Sequence, residues 1–350
     1  MESTKLQSST YRILDASLNR AAEGLRVIED FLRMSVGDRY LSESAKQLRH
    51  QLTEAARYLD AHARIASRDT PNDVGCTIQT DSEFTRDSTE DVVHSNLARV
   101  QQSLRTLEEY GKTVSVEFSK NIEQLRYRTY TLEKAVLTTL VSLKNLTGTR
   151  LYVLIDSGQE PGDFDDLVKQ LIQAEVDLIQ LRDKRLSDRQ LVEAGLRLSE
   201  LTRGTETRWI MNDRADLAVA AGAAGVHLGQ DDLAVADARR IVGAAMMIGV
   251  STHNLDQARQ AVLDGANYIG VGPVFPSKTK QFGSHPGLEL VRQVTQEIQL
   301  PAFAIGGIDQ DNIRLVQEAG LCRVAAQHCI VGSNQPFQTA VDLKSMLKSP

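Results

Sequence analysis

Six short stretches in the second half of the chain carry residues suited to binding polyanions. They are Gln180-Leu181-Arg182-Asp183-Lys184, Asn212-Asp213-Arg214, Gly229-Gln230-Asp231-Asp232, Ser251-Thr252-His253, the insert Gly-Pro-Val-Phe-Pro-Ser-Lys-Thr-Lys at 272–280, and Gly306-Gly307-Ile308-Asp309. Alternation along an extended run places Gln180, Arg182 and Lys184 on one face, two of them cationic. Lys280 adds a third positive charge, Ser251, Ser277 and Thr279 add hydroxyls, and Asp213 and Asp232 supply two carboxylates. Oxygen ligands with few histidines suit Mg²⁺, which binds through one or two carboxylates plus substrate phosphates. The N–H groups of a Gly-Gly turn entering a helix form an anion site. The chemistry called for is two separate polyanions, one with magnesium and one without. Each stretch alone has an ordinary reading: Arg182 and Asp183 as a surface ion pair, Asp213 as the cap of a helix starting near Ala215, Gly306-Gly307 as a tight turn.

The elements that would bring these stretches together are legible. Apolar β-type runs occur at Leu151–Ile155, Leu178–Leu181, Trp209–Met211, Val226–Leu228, Met247–Val250, Tyr268–Val271, Ala302–Ile305 and Val324–Ala326. Helical patterns lie between them, such as Phe164–Ala174, Asp188–Thr202, Leu255–Asp264 and Asn312–Ala319. Eight such runs over about 200 residues predict an α/β fold, a (β/α)₈ TIM barrel near the lower end of its size range. A doubly wound open sheet is the competitor, and the absence of GxGxxG after the first run argues against it. In a barrel all six stretches follow strand ends and converge on one mouth, and the loops after strands 7 and 8 commonly hold phosphate.

The first half has a different grammar. Before residue 147 there are only four glycines and one proline; from Gly148 onward there are nineteen and seven. Few breakers mean long helices, so the domain boundary is placed between an all-α segment, 1–146, and the barrel, 147–350. An internal repeat runs through the helical half. Asp15 to Phe31 (DASLNRAAEGLRVIEDF) and His94 to Tyr110 (HSNLARVQQSLRTLEEY) share Leu, Arg, Leu, Arg and Glu at an offset of 79 residues. QLRH at 47–50 and QLRY at 124–127 match again. Leu18, Leu25 and Leu32, with Ala22 and Ile28, form an apolar stripe. Two helical hairpins burying such stripes against each other predict a four-helix arrangement with pseudo-twofold symmetry. The repeated Arg20, Arg26, Arg99 and Arg105 either line an anion pocket or pair with Glu29 and Glu108.

A net charge of −6 without runs of like charge excludes non-specific nucleic-acid or membrane-surface binding. Cys76, Cys322 and Cys329 form no CxxC, and the seven histidines form no HxxxH, so neither a disulfide framework nor a structural zinc site is expected. No apolar run approaches a membrane span. A cytoplasmic protein with small-molecule substrates is expected, with a homo-oligomer left open.

QLRDK, NDRADLA, GVHLGQDD, GVSTHN, YIGVGPVFPSKTK and AIGGI resemble, in order and spacing, the successive motifs of the thiamine-phosphate synthases. The resemblance runs from about Leu151 to the end. It implies a transferase of thiamine biosynthesis that joins hydroxymethylpyrimidine diphosphate to a thiazole phosphate with release of pyrophosphate. It further implies Mg²⁺ on Asp213 and Asp232, and pyrimidine-diphosphate contacts from Gln180, Arg182, Lys184, Asn212, Ser251 and Lys280. Arg182, Lys184 and Lys280 would neutralise the leaving group, and Ser277, Thr279 and the Gly307 N–H would meet the thiazole phosphate. One departure stands at strand 8, where Ala326-Gln327-His328-Cys329 replaces a small hydroxyl-bearing pair.

NRAAEGLRVIEDF, KQLRH, RDTPNDVG and QLRYR resemble a domain found ahead of some of these synthases and linked to phosphorylation of hydroxymethylpyrimidine phosphate. No GxxxxGK[ST] loop accompanies it. The alternatives are a bifunctional enzyme and a synthase with a helical docking or dimerisation module. Rival readings of the barrel are a thiazole tautomerase and a non-catalytic phosphate binder. Neither would need both carboxylates together with Arg182, Lys184 and Lys280.

Overall fold

The computed structural model describes residues 2–74, 85–158, 161–276 and 286–347. They form two compact units, Met1–Val136 and Leu137–Pro350, dividing ten residues before the boundary read from glycine content.

The first unit is helical: α1 (Glu2–Phe31), α2 (Arg39–Ala55), α3 (Ala61–Ala66), α4 (Thr89–Gly111) and α5 (Val116–Asn145), with the division falling inside α5. Each turn has a local cause. A π-helical turn, Leu32–Val36, ends α1, and Gly37 closes it at φ 74°, which glycine adopts without penalty. Asp38 then caps α2 by accepting from the Leu41 N–H, and Ser88 caps α4 by accepting from Asp91 N–H. Leu18, Leu25, Ile28 and Leu32 are buried as the stripe requires, with Ala21 rather than Ala22 fully inside. At Gly24 a Cβ would stand 2.6 Å from Val100, so α1 and α4 approach too closely there for any larger residue. The short α3 was not foreseen.

The repeat encodes an ion pair to a buried glutamate. Glu29 on α1 meets Arg49 on α2 at 3.1 Å, and Glu108 on α4 meets Arg126 on α5 at 2.7 Å. Arg49 and Arg126 are the arginines of QLRH and QLRY, so the two sequence matches are two ends of one interaction, made twice. Arg26 and Arg105 lie on the surface and pair within their own helices, Arg26 with Glu29 and Asp30, Arg105 with Glu108 and Glu109. Such exposed pairs contribute roughly 0–1 kcal/mol. Arg126→Met is therefore expected to destabilise this unit by more than Arg26→Met, because the buried Glu108 then keeps only the surface Arg105, whereas Arg26→Met should stay within about 1 kcal/mol. Denaturant melts of the two variants check this.

The second unit is a closed barrel of eight parallel strands in sequential order. These are β1 (Leu151–Ile155), β2 (Leu178–Leu181), β3 (Arg208–Asn212), β4 (Gly225–Leu228), β5 (Met247–Thr252), β6 (Tyr268–Val271), β7 (Ala302–Ile305) and β8 (Val324–Ala326). Helices α6 (Pro161–Gln173), α7 (Asp188–Thr202), α8 (Ala215–Ala221), α9 (Val235–Val242), α10 (Leu255–Asp264), α11 (Gly287–Glu297) and α12 (Ile313–Glu318) follow β1 to β7 in turn. After β8 come α13 (His328–Val331) and α14 (Pro336–Met346). Tyr152, Leu178, Ile210, Met247, Tyr268, Phe303 and Ala325 fill the interior, joined by Leu146 just beyond α5. Gly249 makes room for one of them, since a Cβ there would lie 2.1 Å from the Tyr268 ring. Among the described residues no helix is long and apolar enough to cross a membrane.

Candidate active site

The closed barrel carries the end of each strand to one rim, and the predicted stretches follow β2 to β7. Gln180 points inward from β2, buried, its Nε2 donating to the Tyr152 hydroxyl at 2.6 Å. Arg182 leaves the strand with its backbone N–H on Ile155 O at 2.8 Å. Neither its guanidinium nor the Lys184 ammonium meets a hydrogen-bond or ion-pair partner among the described residues.

The surface ion pair considered for Arg182 and Asp183 does not form. Asp183 is buried and accepts from the Ser157 hydroxyl at 2.7 Å and from Arg185 Nη2 at 2.7 Å. The Arg185 guanidinium holds its carboxyl well below the usual carboxylate range. Asp183 thus braces the β2 loop against the β1 loop and leaves Arg182 and Lys184 uncommitted.

Asp213 follows Asn212 at the end of β3, in the left-handed region at φ 60°, its N–H on His227 O at 2.8 Å. A non-glycine residue there is strained and points to a constraint. It does not cap a helix: α8 starts at Ala215 with Arg214 in the cap position and no side-chain bond. Burial and the neighbouring Asp232 carboxylate push the Asp213 carboxyl up to about 6, with Lys184 and Arg182 pulling the other way. Asp232 is held by the Gly229 N–H at 2.6 Å. Two facing carboxylates beside two unpaired cations fit a hard divalent cation carried in with a polyphosphate. Among the described residues no group of three or more His, Cys, Asp or Glu side chains is placed to hold a metal ion by itself.

Ser251 was expected in the loop after β5 but lies on the strand, paired with Gly270. Its Oγ sits 2.9 Å from His227 Nε2, and His227 Nδ1 sits 3.2 Å from the Tyr268 hydroxyl. The Tyr152 and Tyr268 hydroxyls are 3.0 Å apart. Burial pushes His227 down to about 4 and raises both phenols. Tyr152, His227 and Tyr268 were not singled out from sequence. The available signal was a polar side chain at an inward position of an otherwise apolar strand.

Gly306 and Gly307 adopt φ 104° and 64°, and a Cβ on Gly307 would lie 2.5 Å from Pro276 O. The Gly307 N–H meets no acceptor among the described residues, leaving it available to an anion. Ser277, Thr279 and Lys280 lie outside the described residues. At the atypical strand 8, His328 is exposed at the start of the four-residue α13, and the Cys329 thiol donates to Ile308 O at 3.3 Å.

Residues 151–330 match the model of the thiamine monophosphate synthase family, and residues 12–135 that of the ThiD2 family. A thiamine-phosphate synthase of Rhodopirellula baltica is 42% identical over 355 residues, spanning 99% of this chain and 95% of that protein. One from Gloeobacter violaceus is 42% identical over 328 residues, spanning 94% of each. Among solved structures, the thiamine phosphate pyrophosphorylase from Pyrococcus furiosus is 31% identical with a TM-score of 0.52, covering 57% of this chain and 95% of its own.

Proposed function

The chain belongs to the thiamine monophosphate synthase family, and we propose that the mouth of its barrel performs the family's condensation with the residues placed above. The bond from the pyrimidine methylene to the diphosphate oxygen breaks, and both electrons leave with pyrophosphate. The electron-rich aminopyrimidine stabilises the resulting cation, and the thiazole nitrogen attacks the methylene to give thiamine phosphate. No side chain acts as a nucleophile. What the protein supplies is charge neutralisation of the leaving group and alignment of two reactants.

The observation that carries this reading is the pair Asp213 and Asp232 facing each other beside the unpartnered Arg182 and Lys184. Asp213 and Asp232 would hold Mg²⁺, which, when bound, neutralises charge on the diphosphate. Arg182 and Lys184, with Lys280, hold the diphosphate oxygens. Gln180, Asn212 and Ser251 orient the pyrimidine end. The Gly307 N–H receives the thiazole phosphate, and the family resemblance adds Ser277 and Thr279 as hydroxyl contacts to it. Pyrophosphate release that requires both substrates and Mg²⁺ tests the assignment.

A second activity is favoured by the helical unit. It contains a cavity of about 790 Å³ whose lining includes Arg12, Arg20 and Arg99. Arg20 and Arg99 are the repeat-related pair, so the internal symmetry places two equivalent cations on one cavity. Arg12 is engaged by Asp69 O and Asp73, while Arg20 has no partner among the described residues. This cavity suits the phosphate of hydroxymethylpyrimidine phosphate, and of the four repeated arginines it is Arg20 and Arg99 that line it. Arg20→Met or Arg99→Met should abolish ATP-dependent phosphorylation of that substrate while leaving pyrophosphate release by the barrel unchanged. A wild-type chain that consumes no ATP with it would rule the second activity out.

A further inference from the structure

Five side chains from five strands form one hydrogen-bonded row inside the barrel: Gln180 on β2, Tyr152 on β1, Tyr268 on β6, His227 on β4 and Ser251 on β5. Four of the five are buried. One direction of the row uses every proton once, and it runs from Gln180 to Ser251. A phenol has one proton to give. In that direction the Tyr152 oxygen accepts from Gln180 Nε2 at 2.6 Å and gives its own proton to the Tyr268 oxygen 3.0 Å away. Tyr268 in turn gives its proton to His227 Nδ1 at 3.2 Å. Nδ1 is then bare, which puts the imidazole proton on Nε2 and makes Nε2–H the donor to the Ser251 oxygen at 2.9 Å. Ser251 accepts from the protein and keeps its own hydroxyl proton free.

We infer that Gln180, Tyr152, Tyr268 and His227 are a one-way hydrogen-bond chain that holds Ser251 as an obligatory donor toward an acceptor atom of the pyrimidine diphosphate. With the chain reversed, Ser251 would spend its proton on Nε2 and offer only lone pairs to an electron-rich ligand. A donor to a charged or electron-rich acceptor makes the stronger bond, and a donor fixed in advance needs no reorganisation as the leaving group departs. His227 and Tyr268 are positioning residues in this scheme: they act through Ser251. The inference rests on the reading of Ser251 as a substrate contact.

The test combines a spectrum with a double-mutant cycle on the full chain. Long-range ¹H–¹⁵N correlation on ¹⁵N-histidine-labelled protein, with the His227 signal assigned by its loss in His227→Gln, reports which ring nitrogen carries the proton. The expected result is protonated Nε2 in the wild type. Tyr268→Phe keeps the ring and removes the donor to Nδ1, and it should lower kcat about tenfold with little change in KM. Ser251→Ala should lower kcat at least as much, and Ser251→Ala combined with Tyr268→Phe should match Ser251→Ala alone. A proton on Nδ1, or an impaired Ser251→Ala with an unimpaired Tyr268→Phe, would overturn the chain while leaving Ser251 a substrate contact. An unimpaired Ser251→Ala would remove the substrate contact itself, and the proposal with it.

Discussion

Asp213→Asn is expected to lower turnover by about 10²-fold or more and, at the same time, to raise the melting temperature of the metal-free protein. The loss of turnover follows because an amide is a poorer Mg²⁺ ligand than a carboxylate, and a contact to the departing charge contributes roughly 10²–10³ in rate. The gain in stability follows from the Asp213 carboxyl, which burial and Asp232 push up to about 6 from an ordinary 3.8. Between those values the folded state binds a proton that the unfolded state lacks, so stability grows as pH falls through that window. At pH 7 the carboxylate destabilises the fold, and the amide relieves it by about 1 kcal/mol once solvent screening is allowed for. That corresponds to roughly 2–4 °C in a unit of this size. The difference in melting temperature between variant and wild type should shrink as pH drops from 7 toward 4. Added Mg²⁺ should raise the wild-type melting temperature and not that of the variant. A residue that merely shaped the β3 loop would lower stability and activity together.

The second large effect belongs to Arg182. Arg182→Met should lower kcat by about 10²–10³-fold with an unchanged melting temperature, because its guanidinium has no partner among the described residues to strand. Arg185→Met, three residues on, gives the opposite pattern. Asp183 is 7% exposed and takes its cation from Arg185. Removing that cation strands a buried carboxylate whose depressed pKa contributes stability above about pH 4 and loses it as pH falls below. Arg185→Met should therefore lower the melting temperature at neutral pH, and this deficit should fade toward pH 3. Activity assays and melts on the two variants separate the roles.

Much of the barrel was legible because each strand is a short, mostly apolar run and the turns after β1 to β7 are punctuated by glycine, asparagine or aspartate. The boundaries erred where polar residues belong to the strand. Ser251 and Thr252 read as loop, yet they pair with Gly270 and Val271, and the Thr252 hydroxyl donates to Gly270 O at 2.9 Å. Helical spacing could not separate Arg20 from Arg26. Both recur in the repeat, and only the packing of α1 against α4 decides that Arg20 and Arg99 border the cavity while Arg26 and Arg105 lie on the surface. Glu29 and Glu108 do pair with Arg26 and Arg105, but each has a second partner one helix further on, at Arg49 and Arg126. The row from Gln180 to Ser251 was out of reach for the same reason in stronger form. Tyr152 and Tyr268 are 116 residues apart, and only closure of the barrel brings their hydroxyls together.

The account stands most directly on one measurement: pyrophosphate release from hydroxymethylpyrimidine diphosphate, with thiazole phosphate and Mg²⁺ each present or withheld, by the full chain and by a chain beginning at Leu137. That start keeps Leu146, which is fully buried in the barrel core. The expected result is one pyrophosphate per thiamine phosphate formed, dependent on both substrates and on Mg²⁺, at a similar rate in both chains. Release without thiamine phosphate, or a folded full chain that releases none, would contradict the assignment of this chemistry to the barrel mouth.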